Sequence, residues 1–204
     1  MMTEFLWPEL GLLRDGVIEL IYPSPEAAQS LVDNSRDPLV QELLPDYFAM
    51  TEAELSAWMP KVSFGRYILP KLDCPIYWFW INRIGENGAW DIVGDLQLRI
   101  HEGPSAVLAS GHVGYHVLPQ FWNRGYMTQA LNLSKRVFRA HGMAEIIVTC
   151  RPNNHASARV AEKAGGRLLE VRRFSKAERE RYAITDFLLC RYALSTCDDH
   201  VAGV

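Results

Sequence analysis

A short segment in the second half of the chain carries the residues best suited to bind an anion. Its sequence, at residues 122–128, is Trp-Asn-Arg-Gly-Tyr-Met-Thr. Gly125 lets the backbone approach a ligand closely because it has no side chain. The first peptide N–H groups of a helix beginning here lack partners within the helix and are partly positive, and Arg124 adds a full charge. The segment therefore predicts a site for a phosphate or pyrophosphate group.

The elements on either side of this loop must hold it in place. The preceding residues alternate as in a strand, with Val113, Tyr115 and Val117 on one face and His112, Gly114 and His116 on the other. Pro119 ends the strand because it has no N–H group to donate to a sheet. The apolar residues that follow recur at helical spacing: Met127, Ala130, Leu131, Val137 and Phe138. The pattern predicts a strand, a tight loop and a helix.

The loop resembles the pyrophosphate-binding loop of the GCN5-related N-acetyltransferases. The family pattern is Gln or Arg, two variable residues, Gly, one variable residue, then Gly or Ala. Trp122 stands in the first place, as is common in the branch that resembles ribosomal-protein N-acetyltransferases. Met127 stands in the last place, where the family has a small residue, so the chain departs from the pattern at the start of the helix.

A second pair of motifs strengthens the resemblance. Residues 154–157 are Asn-His-Ala-Ser and residues 162–166 are Glu-Lys-Ala-Gly-Gly, similar to the next helix of the family, where Asn-x-x-Ser precedes Glu-Lys-x-Gly. The whole pattern looks like a bacterial subgroup of acetyltransferases with unassigned substrates. The resemblance covers about residues 90–175, and the first 75 residues match only in general layout.

The resemblance implies a site for acetyl-CoA as cosubstrate, without a metal. The cofactor would lie where two strands splay apart, between residues 115–118 and residues 148–151. The residues implied to contact it are Val117 and Leu118 for the pantetheine, Arg124, Gly125, Tyr126, Met127 and Thr128 for the pyrophosphate, and Asn154 and Ser157 near the sulfur. An amine would attack the thioester directly, and Ser157 would act as the acid for the departing thiolate.

Each of these residues also has a plainer interpretation. Gly125 also suits a plain turn and Arg124 a charge on the surface, although their neighbours favour phosphate binding for both. Asn154 suits a helix cap, Ser157 suits close packing on an Ala-rich face, and Thr128 suits the first turn of a helix.

The catalytic base remains open at this stage. His112 and His116 lie on the strand that borders the acceptor site in the family, and histidine exchanges protons near neutral pH. A histidine in a strand is also commonly a packed or hydrogen-bonded neighbour. Asp95, Glu102 and a relay through water are the alternatives.

The composition is that of an ordinary globular protein. The chain has 204 residues, of which 49% are hydrophobic and 22% charged, enough for one domain with a sizeable core. A net charge of -3 argues against nucleic acid as a partner, and no apolar run has the length of about 18 residues that a membrane span needs. The N-terminus lacks the basic region of a signal peptide, and the four cysteines form no CxxC motif. We expect a cytoplasmic protein with reduced thiols, as a monomer or a homodimer.

The predicted elements give an α/β fold of the mixed type. The resemblance implies a mostly antiparallel twisted sheet of about seven strands, splayed between strands 4 and 5 and flanked by helices. We predict an appendage at 1–16, one N-acetyltransferase domain at 17–194 and a frayed tail at 195–204. Within the domain, Ser24-Pro25 predicts a helix start, residues 51–54 predict a capping box, and residues 176–181 predict a charged connection.

The sequence thus favours an acetyl-CoA-dependent N-acetyltransferase acting on a primary amine, first of a small molecule and second of a protein N-terminus. An acyl-CoA-binding sensor without turnover is the alternative from another class. A nucleotide-binding module is a third interpretation, but the chain lacks the GxxxxGK[ST] pattern that such a module uses.

Overall fold

The computed structural model describes residues 12–43, 53, 66–69, 74–85, 88–101, 111–182 and 188–197. The strands are β1 Leu13–Arg14, β2 Ile18–Ile21, β3 Arg66–Leu69, β4 Cys74–Arg83, β5 Ile92–Arg99, β6 Val113–Val117, β7 Glu145–Cys150, β8 Arg167–Arg173 and β9 Leu188–Ser195. The α-helices are α1 Pro25–Ser35, α2 Pro38–Leu43, α3 Tyr126–Ala140, α4 His155–Lys163 and α5 Lys176–Tyr182, and a 3-10 turn covers Pro119–Phe121.

The strands form two antiparallel sheets. The first has the order β1-β2-β4-β5-β6, with β3 also paired to β4, and the second has the order β7-β9-β8. The main core contains apolar side chains of both sheets together with those of α3 and α4. The predicted mixed α/β fold with a mostly antiparallel sheet is confirmed. No helix in the described ranges is long and apolar enough to span a bilayer.

The two sheets meet just before β6, at a place that we call the seam (Gly111, His112 and Ile147). The His112 N–H group donates to the Ile147 carbonyl at 2.7 Å. The Ile147 N–H group in turn donates to the His112 ring atom Nδ1 at 2.7 Å. Gly111 has φ +64°, and a Cβ atom built on it would lie 2.7 Å from the Ile147 oxygen. The seam therefore needs a glycine both for its backbone angle and for the close approach of β7.

The hydrogen-bond pattern of β6 shows which peptide groups face the opening between the sheets. Arg99 N–H donates to His112 O at 2.8 Å, and Leu118 N–H donates to Val93 O at 2.9 Å. Alternate residues of an antiparallel strand turn their peptide groups toward opposite sides. The peptide groups of Tyr115 and Val117 therefore point away from β5 and toward β7. We call the space between β6 and β7 beyond the seam the wedge.

Two helix starts follow the capping chemistry expected from the sequence. Ser24 accepts a hydrogen bond from Ala27 N–H at the start of α1, and Asn154 accepts one from Ser157 N–H at the start of α4. The charged connection predicted at 176–181 is wrong, because these residues lie within helix α5. Ser175 and Glu178 form a reciprocal capping box there. The Glu178 N–H group donates to Ser175 Oγ at 3.2 Å, and the Ser175 N–H group donates to Glu178 Oε2 at 2.8 Å.

The ends of the predicted domain are more involved in the fold than we expected. Leu13–Arg14, within the predicted appendage, pairs with β2. Strand β9 runs to Ser195, and Thr196 is fully buried, with its hydroxyl donating to Met143 O at 2.7 Å. The capping box predicted at 51–54 lies outside the described residues except for Ala53.

The seam should weaken in acid. Burial lowers the pKa of the His112 ring, and nearby Arg99 lowers it as well. A proton on Nδ1 would face the Ile147 N–H group, so the folded state holds the neutral ring. Below the ordinary histidine pKa of about 6.5, the unfolded chain binds a proton that the folded chain does not. We expect the free energy of unfolding, from urea titrations between pH 8 and pH 5, to fall through this range.

The variant His112→Asn tests the source of this pH dependence. Its side-chain oxygen can accept from Ile147 N–H but cannot titrate, so it should flatten the acid slope while lowering stability by about 2 kcal/mol. The comparison variant is His141→Asn, because burial also lowers the pKa of His141 and this variant measures the part of the acid slope that arises outside the seam. The His141 ring contacts Tyr77 Oη at 2.8 Å. An acid slope that His112→Asn leaves unchanged would contradict the assignment to the seam.

Candidate active site

The loop after β6 leads into α3 through two residues with positive φ. Asn123 has φ 60° and Gly125, the N-cap of α3, has φ 80°. The first hydrogen bond within the helix runs from Gln129 N–H to Gly125 O at 3.1 Å. The N–H groups of Tyr126, Met127 and Thr128 come before it and have no partner within the helix. A Cβ atom built on Gly125 would have only Gln129 Nε2 nearby, at 3.7 Å. The helix start thus presents unpaired donors beside open space.

The side chains of this loop divide between the core and the surface. Tyr126 and Met127 are buried in the main core, and the Tyr126 ring lies 6.5 Å from that of Phe121. The Met127 side chain is therefore directed away from the surface where an anion would lie. Arg124 is exposed, and its guanidinium lies 5.9 Å from the centre of the Phe121 ring. Thr128 is half-buried.

Ser157 lies on the opposite side of the wedge, in the first turn of α4. Its N–H group donates to Asn154 Oδ1 at 3.0 Å, which confirms Asn154 as the helix cap. The Ser157 side chain is largely buried, and its Oγ lies 2.6 Å from Tyr115 Oη. Because Tyr115 belongs to β6 and Ser157 follows β7, this hydrogen bond connects the two sides of the wedge.

The titratable groups around Ser157 remain protonated at neutral pH. Burial raises the pKa of Tyr115 to about 12. Burial and, to a smaller extent, Cys190, its partner in register on β9, raise the pKa of the Cys150 thiol to about 11. Cys150 is therefore a thiol rather than a thiolate, and thiols are weak nucleophiles. This argues against an acyl-enzyme formed on Cys150.

The structure separates Val117 and Leu118, which we expected to contact the pantetheine together. The Leu118 N–H group is bonded to Val93 O on β5, so it does not face the wedge. The Val117 carbonyl faces the wedge and accepts from Trp122 Nε1 at 2.6 Å. The register of β6 places the peptide group of Tyr115, rather than that of Leu118, beside that of Val117.

His116 lies on the opposite face of the first sheet from Tyr115, next to a buried carboxylate. Its Nδ1 is 3.4 Å from Asp95 Oδ1, and their side chains are 39% and 3% exposed respectively. Asp95 Oδ2 also accepts from Trp78 Nε1 at 2.9 Å. A carboxylate held in this way can orient the imidazole.

His112 occupies a different environment from His116, contrary to the alternation that we predicted. It precedes β6, and the positive φ of Gly111 turns the chain there. Its ring lies edge-on to Phe138 of α3, with Nδ1 bonded to Ile147 and Nε2 at 2.9 Å from His101 O. Both ring nitrogens of His112 are engaged in holding the seam, which argues against a role as base.

Two polar residues on the same sheet face as Asp95 escaped the sequence analysis. Gln97 and Arg99 share a sheet face with Asp95, since alternate residues of β5 point the same way. A Cβ atom built on Gly114 would lie 2.9 Å from Arg99 Nη2, so the glycine leaves room for this guanidinium. The polar residues at every second position of β5 are the sequence pattern from which this polar face could have been predicted. Glu102, another candidate base, lies outside the described residues.

The wedge opens toward the start of α3, where backbone N–H groups are available to a ligand. This arrangement is typical of proteins that bind an extended, phosphate-bearing cofactor. The sequence model of the family described as "Acetyltransferase (GNAT) domain" matches residues 18–167. The chain therefore belongs to the GNAT acetyltransferase family. It is an N-acetyltransferase whose acetyl donor is acetyl-CoA.

Solved structures share the fold at low sequence identity. A GNAT-family acetyltransferase from Bacillus anthracis has a TM-score of 0.60 at 20% identity, over 91% of this chain and 98% of that one. The acetyltransferase that modifies the N-terminal serine of a 50S ribosomal subunit protein in Salmonella typhimurium has a TM-score of 0.55 at 18% identity, over 90% and 98%. The microcin C7 self-immunity acetyltransferase MccE, in complex with acetyl-CoA and AMP, has a TM-score of 0.59 at 14% identity, over 90% and 94%. No curated protein matches the chain.

Proposed function

We propose that this enzyme transfers the acetyl group of acetyl-CoA to the primary amine of a small molecule, by direct attack of the amine on the thioester. The observation that carries the proposal is the wedge, which has the start of α3 at one end and the Ser157 hydroxyl at the other. This arrangement suits a cofactor with a diphosphate at one end and a thioester at the other.

The residues along the wedge fit acetyl-CoA in chemistry as well as in position. The peptide groups of Tyr115 and Val117 are placed to pair with the pantetheine amides, as an added strand does. The N–H groups of Tyr126, Met127 and Thr128 are placed for the pyrophosphate, with Arg124 as a supporting charge. Gly125 keeps the approach to these donors open.

The reaction needs a base for the amine and a partner for the sulfur. The amine nitrogen bonds to the thioester carbon, the carbon–sulfur bond breaks, and its electron pair goes to the sulfur. The amine loses one proton to a base, and the thiolate ends by taking one proton up. We assign stabilisation of the departing sulfur to the Ser157 hydroxyl, which is largely buried.

We assign the base to His116, oriented by Asp95. The pair lies one strand position from Val117 and Tyr115, whose peptide groups face the wedge. Because Asp95 holds the Nδ1 side of the ring, Nε2 is the nitrogen that would take the amine proton. In a variant of this assignment, a water molecule passes the amine proton to the same His116–Asp95 pair.

The acceptor would bind over the polar face that carries Asp95, Gln97 and Arg99, with Trp78 beside them. A face with a carboxylate, an amide and a guanidinium suits a compact polar amine, and this supports a small molecule ahead of a protein N-terminus. A protein N-terminus remains the second candidate, because one enzyme of the same fold modifies a ribosomal protein there.

Thermal melting with separate ligands tests the cofactor. We expect CoA and acetyl-CoA to raise the melting temperature by about 5–10 °C at a hundred times their dissociation constant, because they bind only the folded state. ATP should give no comparable rise, since it lacks the pantetheine that the peptide groups of Tyr115 and Val117 would bind.

The control for this measurement is Gly125→Val, which places a branched side chain at a positive φ beside the first N–H groups of α3. It should abolish the rise with both CoA species. An equal rise with ATP would support a nucleotide-binding module instead. Binding of acetyl-CoA without thiol release over a broad panel of amines would support the sensor.

A further inference from the structure

We propose that Tyr115 is a positioning residue for catalysis, whose hydroxyl directs the hydrogen of Ser157 toward the departing sulfur. The inference rests on the proposed function, because it concerns the residue assigned to the sulfur there. The sequence suggested only Ser157 of α4 for the stabilisation of the departing sulfur, and Tyr115 of β6 would support it in that role.

The distance between the two hydroxyl groups requires a hydrogen bond. Tyr115 Oη lies 2.6 Å from Ser157 Oγ, at the short end of the range for two oxygen atoms. Each hydroxyl has one hydrogen, so only one of the two can donate to the other. If Tyr115 donates, the Ser157 hydrogen remains available for another acceptor. If Ser157 donates, it has no hydrogen left for a sulfur atom.

The surroundings favour Tyr115 as the donor when a thiolate forms. The phenol is partly buried and stays protonated, since burial raises its pKa to about 12. Its other near acceptor is the Ser157 carbonyl at 3.4 Å, which is a longer and weaker contact. A negative sulfur beside Ser157 would attract the serine hydrogen, and the phenol would then donate to Ser157 Oγ.

The backbone fixes both partners from opposite sides of the wedge. Ser157 is held by its N–H bond to Asn154 at the start of α4. Tyr115 is held in β6, in register with Leu96 of β5. Since the peptide group of Tyr115 faces the wedge, the same residue would contact the pantetheine and orient the hydroxyl near its sulfur. Loss of the phenol oxygen alone should therefore affect turnover more than cofactor binding.

The experiment is a double-mutant cycle with Tyr115→Phe and Ser157→Ala, read by steady-state kinetics and by CoA affinity. We expect Tyr115→Phe to lower kcat about five- to tenfold, with KM for acetyl-CoA and Kd for CoA unchanged within about twofold. In the Ser157→Ala background the same change should have an effect below about twofold, because the hydroxyl that Tyr115 directs is gone. Ser157→Thr, which keeps a hydroxyl, should restore the sensitivity to Tyr115→Phe.

Tyr192→Phe is the matched control. Tyr192 is another tyrosine of the core, but its hydroxyl donates to Glu162 Oε1 at 3.3 Å instead of contacting Ser157. This variant should leave kcat within about twofold of the wild type. Equal effects of Tyr115→Phe with and without Ser157 would overturn the inference, as would a loss of CoA affinity at unchanged kcat. A wild-type protein that binds acetyl-CoA but acetylates no amine would instead overturn the proposed function, and the inference with it.

Discussion

The variant Gly111→Ala is expected to lower the free energy of unfolding by about 3 kcal/mol, the largest stability effect that we predict for a single methyl group. Two costs coincide at this residue. An alanine at φ +64° costs about 1–2 kcal/mol, and the new Cβ atom would lie 2.7 Å from the backbone oxygen of Ile147. Because that oxygen belongs to β7, relief of the clash would require one sheet to move away from the other.

The control Gly142→Ala separates the two costs. Gly142 has φ +77°, but nothing lies within 4 Å of a Cβ atom built there, so this variant bears only the backbone cost of about 1–2 kcal/mol. Urea titrations of both variants measure the difference. A further consequence is expected only for Gly111→Ala, namely weaker CoA binding, since a displaced seam changes the width of the wedge. Equal destabilisation of the two variants would show that the close approach of Ile147 has no energetic importance.

Replacement of His116 by alanine is expected to have the largest effect on activity. General base catalysis contributes factors of about 100 to 10,000, and we expect kcat to fall about a hundredfold with KM for acetyl-CoA unchanged. Asp95→Asn should lower kcat by a smaller factor, about tenfold, because the ring remains but loses the carboxylate that orients it. Steady-state rates of thiol release give both values.

The control for the histidine variant is His155→Gln, which changes an exposed histidine outside the assigned machinery. Its kcat should stay within about twofold of the wild type. A His116→Ala enzyme that keeps its full kcat would assign the base to another residue or to a water relay that does not involve His116. A loss of CoA affinity in this variant would point to a structural role for the imidazole.

The local features of the site were predictable because they depend on neighbouring residues. The positive φ at Gly125, the cap at Asn154 and the strand–loop–helix order all follow from short-range rules that the sequence displays. The mixed α/β fold was predictable from the resemblance, since its motifs occur in the family's order along the chain.

The features that escaped prediction depend on pairing between distant segments. Whether Leu118 or Tyr115 faces the wedge is decided by the register of β6 on β5, and a shift of one residue reverses the answer. The separation of His112 from His116 depends on the contact of His112 with Ile147, 35 residues away. The hydrogen bond between Tyr115 and Ser157 joins residues 42 apart, and no local pattern encodes it.

The indole of Trp122 has a consequence for how tightly a ligand can bind. Its N–H group already supplies a donor to the Val117 carbonyl, from a side chain that is 46% exposed and only five residues away. A tethered group of this kind competes at a high effective concentration with any free molecule that needs the same acceptor. If the pantetheine pairs with Val117 as proposed, a ligand would displace the indole only through several simultaneous contacts, and we expect a complete CoA thioester to bind more tightly than its fragments.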